Sequence, residues 1–106
     1  MTAAEDTRRL IADLETALRL DRSAGVRVAR AVAAAEEAER KSGGGGFAPR
    51  PADRQEAAAR QVFWRLVAEV RRAATARTSH DGMITAIGQA MEDARDDLSE
   101  IPDASR

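Results

Sequence analysis

The fold is decided by residues 62–74, which read VFWRLVAEVRRAA. Apolar side chains recur there at spacings of three and four: Val62, Phe63, Leu66, Val67, Val70, Ala73 and Ala74. Side chains at this spacing share one face of an α-helix, and a stripe this broad must be buried. The stretch therefore predicts a core helix over about residues 52–78, against which the rest of the chain packs.

A long first helix is predicted over about residues 3–41. Thr2 and Glu5 have the spacing of a capping box. A narrower apolar seam follows, formed by Leu10, Ile11, Leu14, Leu18, Val28 and Val32. Asp21 and Gly25 interrupt this seam, but a glycine inside a helix costs only about 1 kcal/mol. We therefore expect one kinked helix, with two helices meeting near residues 22–25 as the alternative.

A third helix is predicted over about residues 81–101. Its apolar residues keep a regular seam spacing: Ile84, Ile87, Met91, Ala94, Leu98 and Ile101. Residues 78–82 offer cap residues at its start, and Pro102 ends it. Residues 102–106 are expected to form a frayed tail.

Four glycines and two prolines predict a turn at residues 42–51. This segment is either a native hinge or an engineered linker. It lacks the lysine and hydroxyl residue of a phosphate-binding loop. The whole pattern predicts a single all-α domain over residues 1–101. In it, the first two helices form a long antiparallel hairpin of coiled-coil or bundle type, and the third helix packs on the same chain or on a neighbour.

The apolar content is low for a self-sufficient core. Of the 106 residues 24 are alanine, and leucine, isoleucine, valine and phenylalanine together number only 18. Small domains with thin cores commonly gain buried surface by association. We therefore expect a homo-oligomer, a larger protein partner, or both.

Missing residue types exclude several classes of protein. There is no cysteine and a single histidine, which excludes disulfide scaffolds and zinc sites built on these ligands. No apolar run reaches the length of a membrane helix, and no signal peptide is recognisable. These features predict a cytoplasmic protein, and the arginine and alanine bias predicts a bacterial or phage origin. No cofactor is expected.

Charge is distributed unevenly along the chain. Residues 50–77 carry seven arginines against three acids, whereas residues 78–106 carry two arginines against seven acids. Five of these acids crowd the C-terminal half of the last helix, where the helix dipole disfavours them: Glu92, Asp93, Asp96, Asp97 and Glu100. Either the arginine-rich helix offsets this acidic surface, or it is simply solvated.

The arginine-rich helix carries the candidate contact residues: Arg60, Trp64, Arg65, Arg71 and Arg72. Tryptophan beside arginine is typical of protein–protein hot spots. The same pair suits nucleic acid, since bases stack on aromatic rings and guanidinium groups bind phosphate. A third possibility is that Trp64 only widens the core while the arginines reach over it to water.

No catalytic constellation is recognisable. His80 has only Ser79 and Asp81 as polar neighbours in the sequence and is interpreted as a turn residue at a helix start. A row of carboxylates along one helix is a poor metal cage. The favoured function is therefore a non-enzymatic helical assembly, adaptor or regulatory subunit. The alternative is a nucleic-acid-binding subunit of an oligomer, and the weakest hypothesis is a metal-dependent enzyme.

Overall fold

The computed structural model describes residues 2–19, 24–42, 54–76 and 79–101. These ranges contain four α-helices: α1 (Ala3–Leu18), α2 (Ala24–Ser42), α3 (Arg54–Thr75) and α4 (His80–Ser99). No strand occurs within them, so the all-α prediction is confirmed. Apart from Ser42, which ends α2, the predicted turn at 42–51 and the tail at 102–106 lie outside the described residues.

The prediction of one long helix over residues 3–41 is wrong, because the chain forms α1 and α2 separately. Val28 and Val32 of α2 are buried in the same apolar cluster as Leu10 and Leu14 of α1. A continuous rod would hold these two halves of the seam far apart. Burying each valine contributes about 1.5–3 kcal/mol, which exceeds any gain from continuing α1 beyond Leu18 as one rod. Gly25 itself lies inside α2.

Two of the four helices begin at caps that the sequence predicts. The Thr2 hydroxyl accepts from the Glu5 N–H at 3.2 Å and donates to the Glu5 carboxylate at 3.0 Å. Ser79 accepts from the Gly82 N–H at 3.1 Å and starts α4. Each cap satisfies an N–H group that has no partner within its own helix, and this fixes where the helix begins.

The helices pack as an up-down-up-down bundle with α1 and α3 at its centre. The starts of α1 and α3 lie together, since the Ala3 N–H donates to Glu56 Oε1 at 2.6 Å. The end of α4 lies at the same place, where Leu98 packs with Ala3 and Ala59. Helices α1 and α3 contact each other and both outer helices, whereas α2 and α4 make no contact between their described residues.

The core lies on the central pair and is continuous within one chain. Its largest fully buried side chains are Phe63, Leu10, Leu14, Leu66 and Ile87. The predicted faces of the second and third helices are confirmed at most positions. Ala74 is the exception on α3, because it is exposed. Among the described residues, no helix has the length and apolar character required to cross a bilayer.

Candidate functional site

The bundle has two kinds of seam between its helices. The α1–α2, α3–α4 and α1–α3 seams are the close ones, whereas the α2–α3 and α1–α4 seams are looser. Glutamate–arginine ion pairs cross both of the looser seams. These ion pairs therefore connect the helices that pack least closely.

Two glutamates of α2 form ion pairs with arginines of α3 across the α2–α3 seam. Arg60 Nε donates to Glu39 Oε1 at 2.8 Å, and an Arg71 guanidinium N–H donates to Glu36. Both glutamates are buried, and Glu39 is only 1% exposed. Because a buried carboxylate needs a partner, these arginines serve the fold, Arg60 at 22% exposure and Arg71 from the surface at 59% exposure.

Trp64 lies on the same face of α3 as Arg60 and Arg71. The three positions fall within about 40° around the helix axis, given 3.6 residues per turn. The Trp64 ring is half-buried against the core and meets Phe63 edge to face, with centroids 5.0 Å apart. Trp64 therefore sits beside the two ion pairs with α2.

The remaining predicted arginines lie elsewhere on α3. Arg65 is 71% exposed and lies 3.4 Å from Glu69 and 4.0 Å from Asp97 of α4. Arg72 is exposed and forms no ion pair within the described ranges. Positions 65 and 72 fall within about 20° of each other around the helix axis. The five candidate contact residues are thus divided between two faces of α3: one toward α2, with Arg60, Trp64 and Arg71, and one with Arg65 and Arg72.

The acidic surface of α4 is offset by α3 at one position. Asp97 meets Arg65, and Asp93 accepts from the Gln89 amide at 3.1 Å. Glu92, Asp96 and Glu100 are exposed, and their side chains pair with no cation in the described part of the chain. Most of this surface therefore faces water.

A buried carboxyl pair joins α1 to α2 near the start of the bundle. Asp6 of α1 is only 3% exposed and is hydrogen-bonded to Glu39. Burial and the Asp6 carboxyl raise the pKa of Glu39 above its ordinary value, and Arg60 only partly opposes this shift. The Arg60 guanidinium also lies 3.8 Å from Glu56, the residue that accepts from the start of α1. Three helices thus meet at one polar cluster.

The α1–α4 seam is open along its outer side as two adjoining grooves. The first has a volume of about 410 Å³ and lies among Arg8, Ile11, Ala12 and Leu98. The second has a volume of about 640 Å³ and runs on past Leu18. Glu15 of α1 and Arg95 of α4 line both grooves and form an ion pair across the seam. We call this continuous depression the α1–α4 groove.

Small residues and free cations shape the α1–α4 groove. Ala12 and Gly88 line opposite walls, and a Cβ atom built on Gly88 would meet no heavy atom within 4 Å. Arg8 and Arg19 stand at either end of the α1 wall, and neither forms an ion pair within the described ranges. Eleven residues separate them, about 16 Å along a helix.

The sequence analysis missed both of these features, although each left a signal. Asp6 is four residues before Leu10, on the buried stripe of α1. Glu39 continues the buried stripe of Val28 and Val32 in the same way. An acid in register with an apolar seam signals a buried polar pair. Gly88, inside a regular helical seam, signals a close approach or an open groove.

The remaining candidates stay peripheral. His80 is the first residue of α4 and is exposed beside the Ser79 cap. Within the described residues, no group of three or more histidines or acids is arranged to hold a metal ion. Compared with protein-family models, with curated proteins and with solved structures, the chain matches none.

Proposed function

We propose that this protein is a small non-enzymatic interaction subunit of the cytoplasm that binds an amphipathic helix of a partner protein in the α1–α4 groove. The observation that carries the proposal is the open seam itself. Three of the five helix seams are packed closely, whereas this one leaves an elongated depression across apolar side chains. A groove between two helices is a common receptor for a third helix, which lays its apolar face along it.

The dimensions and lining of the groove favour a helical occupant. The wall from Arg8 to Arg19 spans about 16 Å, which corresponds to three turns of helix. Ala12 and Gly88 leave room for close approach of a backbone, and Ile11 and Leu98 supply the apolar floor. Small residues on opposing walls are what a closely packed helix requires.

The charges at the groove indicate the chemistry of the partner. Arg8 and Arg19 are exposed cations without a carboxylate partner in the described part of the chain. An incoming helix with an acidic residue near each end, about eleven positions apart, would place a carboxylate beside each arginine. Rim charges of this kind set orientation and association rate more than affinity.

The nucleic-acid hypothesis receives less support than this one. Arg60 and Arg71 are held by buried glutamates of α2, so binding phosphate would compete with these ion pairs. Arg65 points toward the acidic helix α4. Phosphate binding requires several cations on one surface, and α3 divides its four candidate arginines between two faces.

The test uses photo-cross-linking in the native cell, with a photoreactive residue at Ala12 in the groove. The same residue at Ala33, exposed on α2, is the matched control. We expect a partner captured from Ala12 and not from Ala33. The captured segment is then synthesised and titrated against the wild type, Gly88→Ala and Gly88→Leu.

We expect the captured segment to be an amphipathic helix that binds the wild type and Gly88→Ala equally. Gly88→Leu fills the groove and should weaken binding at least tenfold. Equal capture from both positions, or full affinity of Gly88→Leu for the segment, would refute the proposal. Capture of a second copy of this chain would indicate a homo-oligomer instead of a partner helix. This outcome would also refute the proposal.

A further inference from the structure

The polar cluster at the start of the bundle contains more acid than base. Asp6 and Glu39 contact each other, and Arg60 Nε donates to Glu39 at 2.8 Å. Glu56 lies on the other side of the same guanidinium, at 3.8 Å. Two carboxyl groups therefore flank one guanidinium, a third contacts one of these two, and Asp6 and Glu39 are almost completely shielded from water.

A hydrogen bond between Asp6 and Glu39 requires a proton on one of them. Ionised carboxylates only accept hydrogen bonds, so two ionised groups have no hydrogen to share. Like charges this close in a buried site cannot both ionise without a large cost. The contact therefore identifies a pair that holds one proton in the folded protein.

The helix dipoles decide which carboxyl group carries the proton. Asp6 lies in the first turn of α1, where the dipole stabilises a negative charge. Glu39 lies in the last turn of α2, where the dipole disfavours one. The dipoles therefore favour the proton on Glu39. Burial, which is the largest cause, acts in the same sense by raising the pKa of Glu39.

We propose that the Asp6–Glu39 pair, held by Arg60, is a proton-dependent latch for the helix ends. With one proton shared, the pair ties α1 to α2, and Arg60 extends the connection to α3. When the proton leaves, two facing carboxylates compete for one guanidinium. The start of α1 and the end of α2 then separate, and this end of the bundle loosens.

Among the described residues, Arg60 is the cation that the structure shows bonded to the pair. On α1, Arg9 and Asp13 line the outer α1–α2 surface with Asp6 and offset each other in charge. The neighbours on α2 and α3 are already paired, as in Glu36 with Arg40 and Arg71, and Glu56 with the Ala3 N–H. Helix α4 makes no contact with α2.

The latch predicts the sign of the pH dependence. The unfolded chain releases the Glu39 proton at the ordinary pKa of 4.5, whereas the folded protein holds it to higher pH because its pKa is raised. This stabilisation is therefore complete below pH 4.5 and is lost as pH rises through the folded pKa. Between the two values the folding constant falls by up to tenfold per pH unit.

The experiment compares urea unfolding of the full chain from pH 4 to pH 8 in the wild type, Glu39→Gln and Glu37→Gln. Glutamine keeps the two hydrogen bonds of a protonated Glu39 at every pH. Glu37 is an exposed acid of the same helix, paired only with Lys41, and serves as the matched control. We expect the urea midpoints of the wild type and of Glu37→Gln to fall as pH rises, relative to the midpoint of Glu39→Gln.

A second measurement keeps the proposal testable should Glu39→Gln fail to fold. The carboxyl carbon of Glu39 is followed by NMR in the wild type across the same pH range. We expect its signal to titrate at a pH above 4.5. Titration of Glu39 at or below 4.5, or a Glu39→Gln pH profile parallel to the wild type, would overturn the latch.

Discussion

Replacing Gly88 by alanine should stabilise the bundle. Gly88 lies in the middle of α4, where glycine is about 0.8–1.0 kcal/mol less favourable than alanine. A Cβ atom at this position meets nothing within 4 Å, so the new methyl group causes no overpacking. The free energy of unfolding should therefore rise by about 0.8–1.0 kcal/mol, and the melting temperature by about 4–8 °C.

The matched control for this prediction lies two residues earlier on the same helix. Ala86 is exposed, so Ala86→Gly should lower the free energy of unfolding by a similar amount, about 1 kcal/mol. The double variant should return close to the wild type. Thermal and urea unfolding followed by circular dichroism measure all four proteins. If Gly88→Ala is less stable than the wild type while Ala86→Gly behaves as expected, the wall of the groove is not open at Gly88. That result would refute the reasoning built on the open wall.

Two further substitutions test the core and the caps. Leu14→Ala removes a fully buried side chain and should cost about 2–5 kcal/mol of unfolding free energy in urea, whereas Leu18→Ala, at the half-buried end of α1, should cost less. A larger loss at Leu18 would mean that the core is centred elsewhere. Ser79→Ala should cost about 1 kcal/mol by loss of the bond from the Gly82 N–H, and Ser79→Asp should retain most of the stability. Equal melting temperatures for these two variants would show that the cap is dispensable.

Most of the secondary structure follows from the sequence, because spacing and caps act locally. The apolar stripe of α3 and the seam of α4 lie where the sequence places them, and Thr2 and Ser79 start their helices as expected. The break between α1 and α2 does not follow from these local rules. Gly25 lies inside α2, so it does not mark the break, and the burial of Val28 and Val32 decides the outcome. That burial depends on contacts far apart in the sequence.

The polar sites are less accessible to sequence reasoning for the same physical reason. The arginine face of α3 is recognisable, but its function is set by Glu36 and Glu39, which belong to a different helix. Counting charges along the sequence cannot show that Arg60 and Arg71 form ion pairs with glutamates of α2. The groove depends on the distance between α1 and α4, which no local pattern encodes.

The central position of α1 and α3 has a consequence for how the polypeptide can be divided. Each outer helix rests mainly on one central helix, α2 on α1 and α4 on α3, so the molecule consists of two hairpins that complete each other. Neither half contains a finished core, because Leu10 and Leu14 belong to one and Phe63 and Leu66 to the other. Two separate polypeptides, one ending after α2 and the other starting before α3, would carry matching halves of this interior. Their reassociation would report on recognition between the halves without the covalent connection.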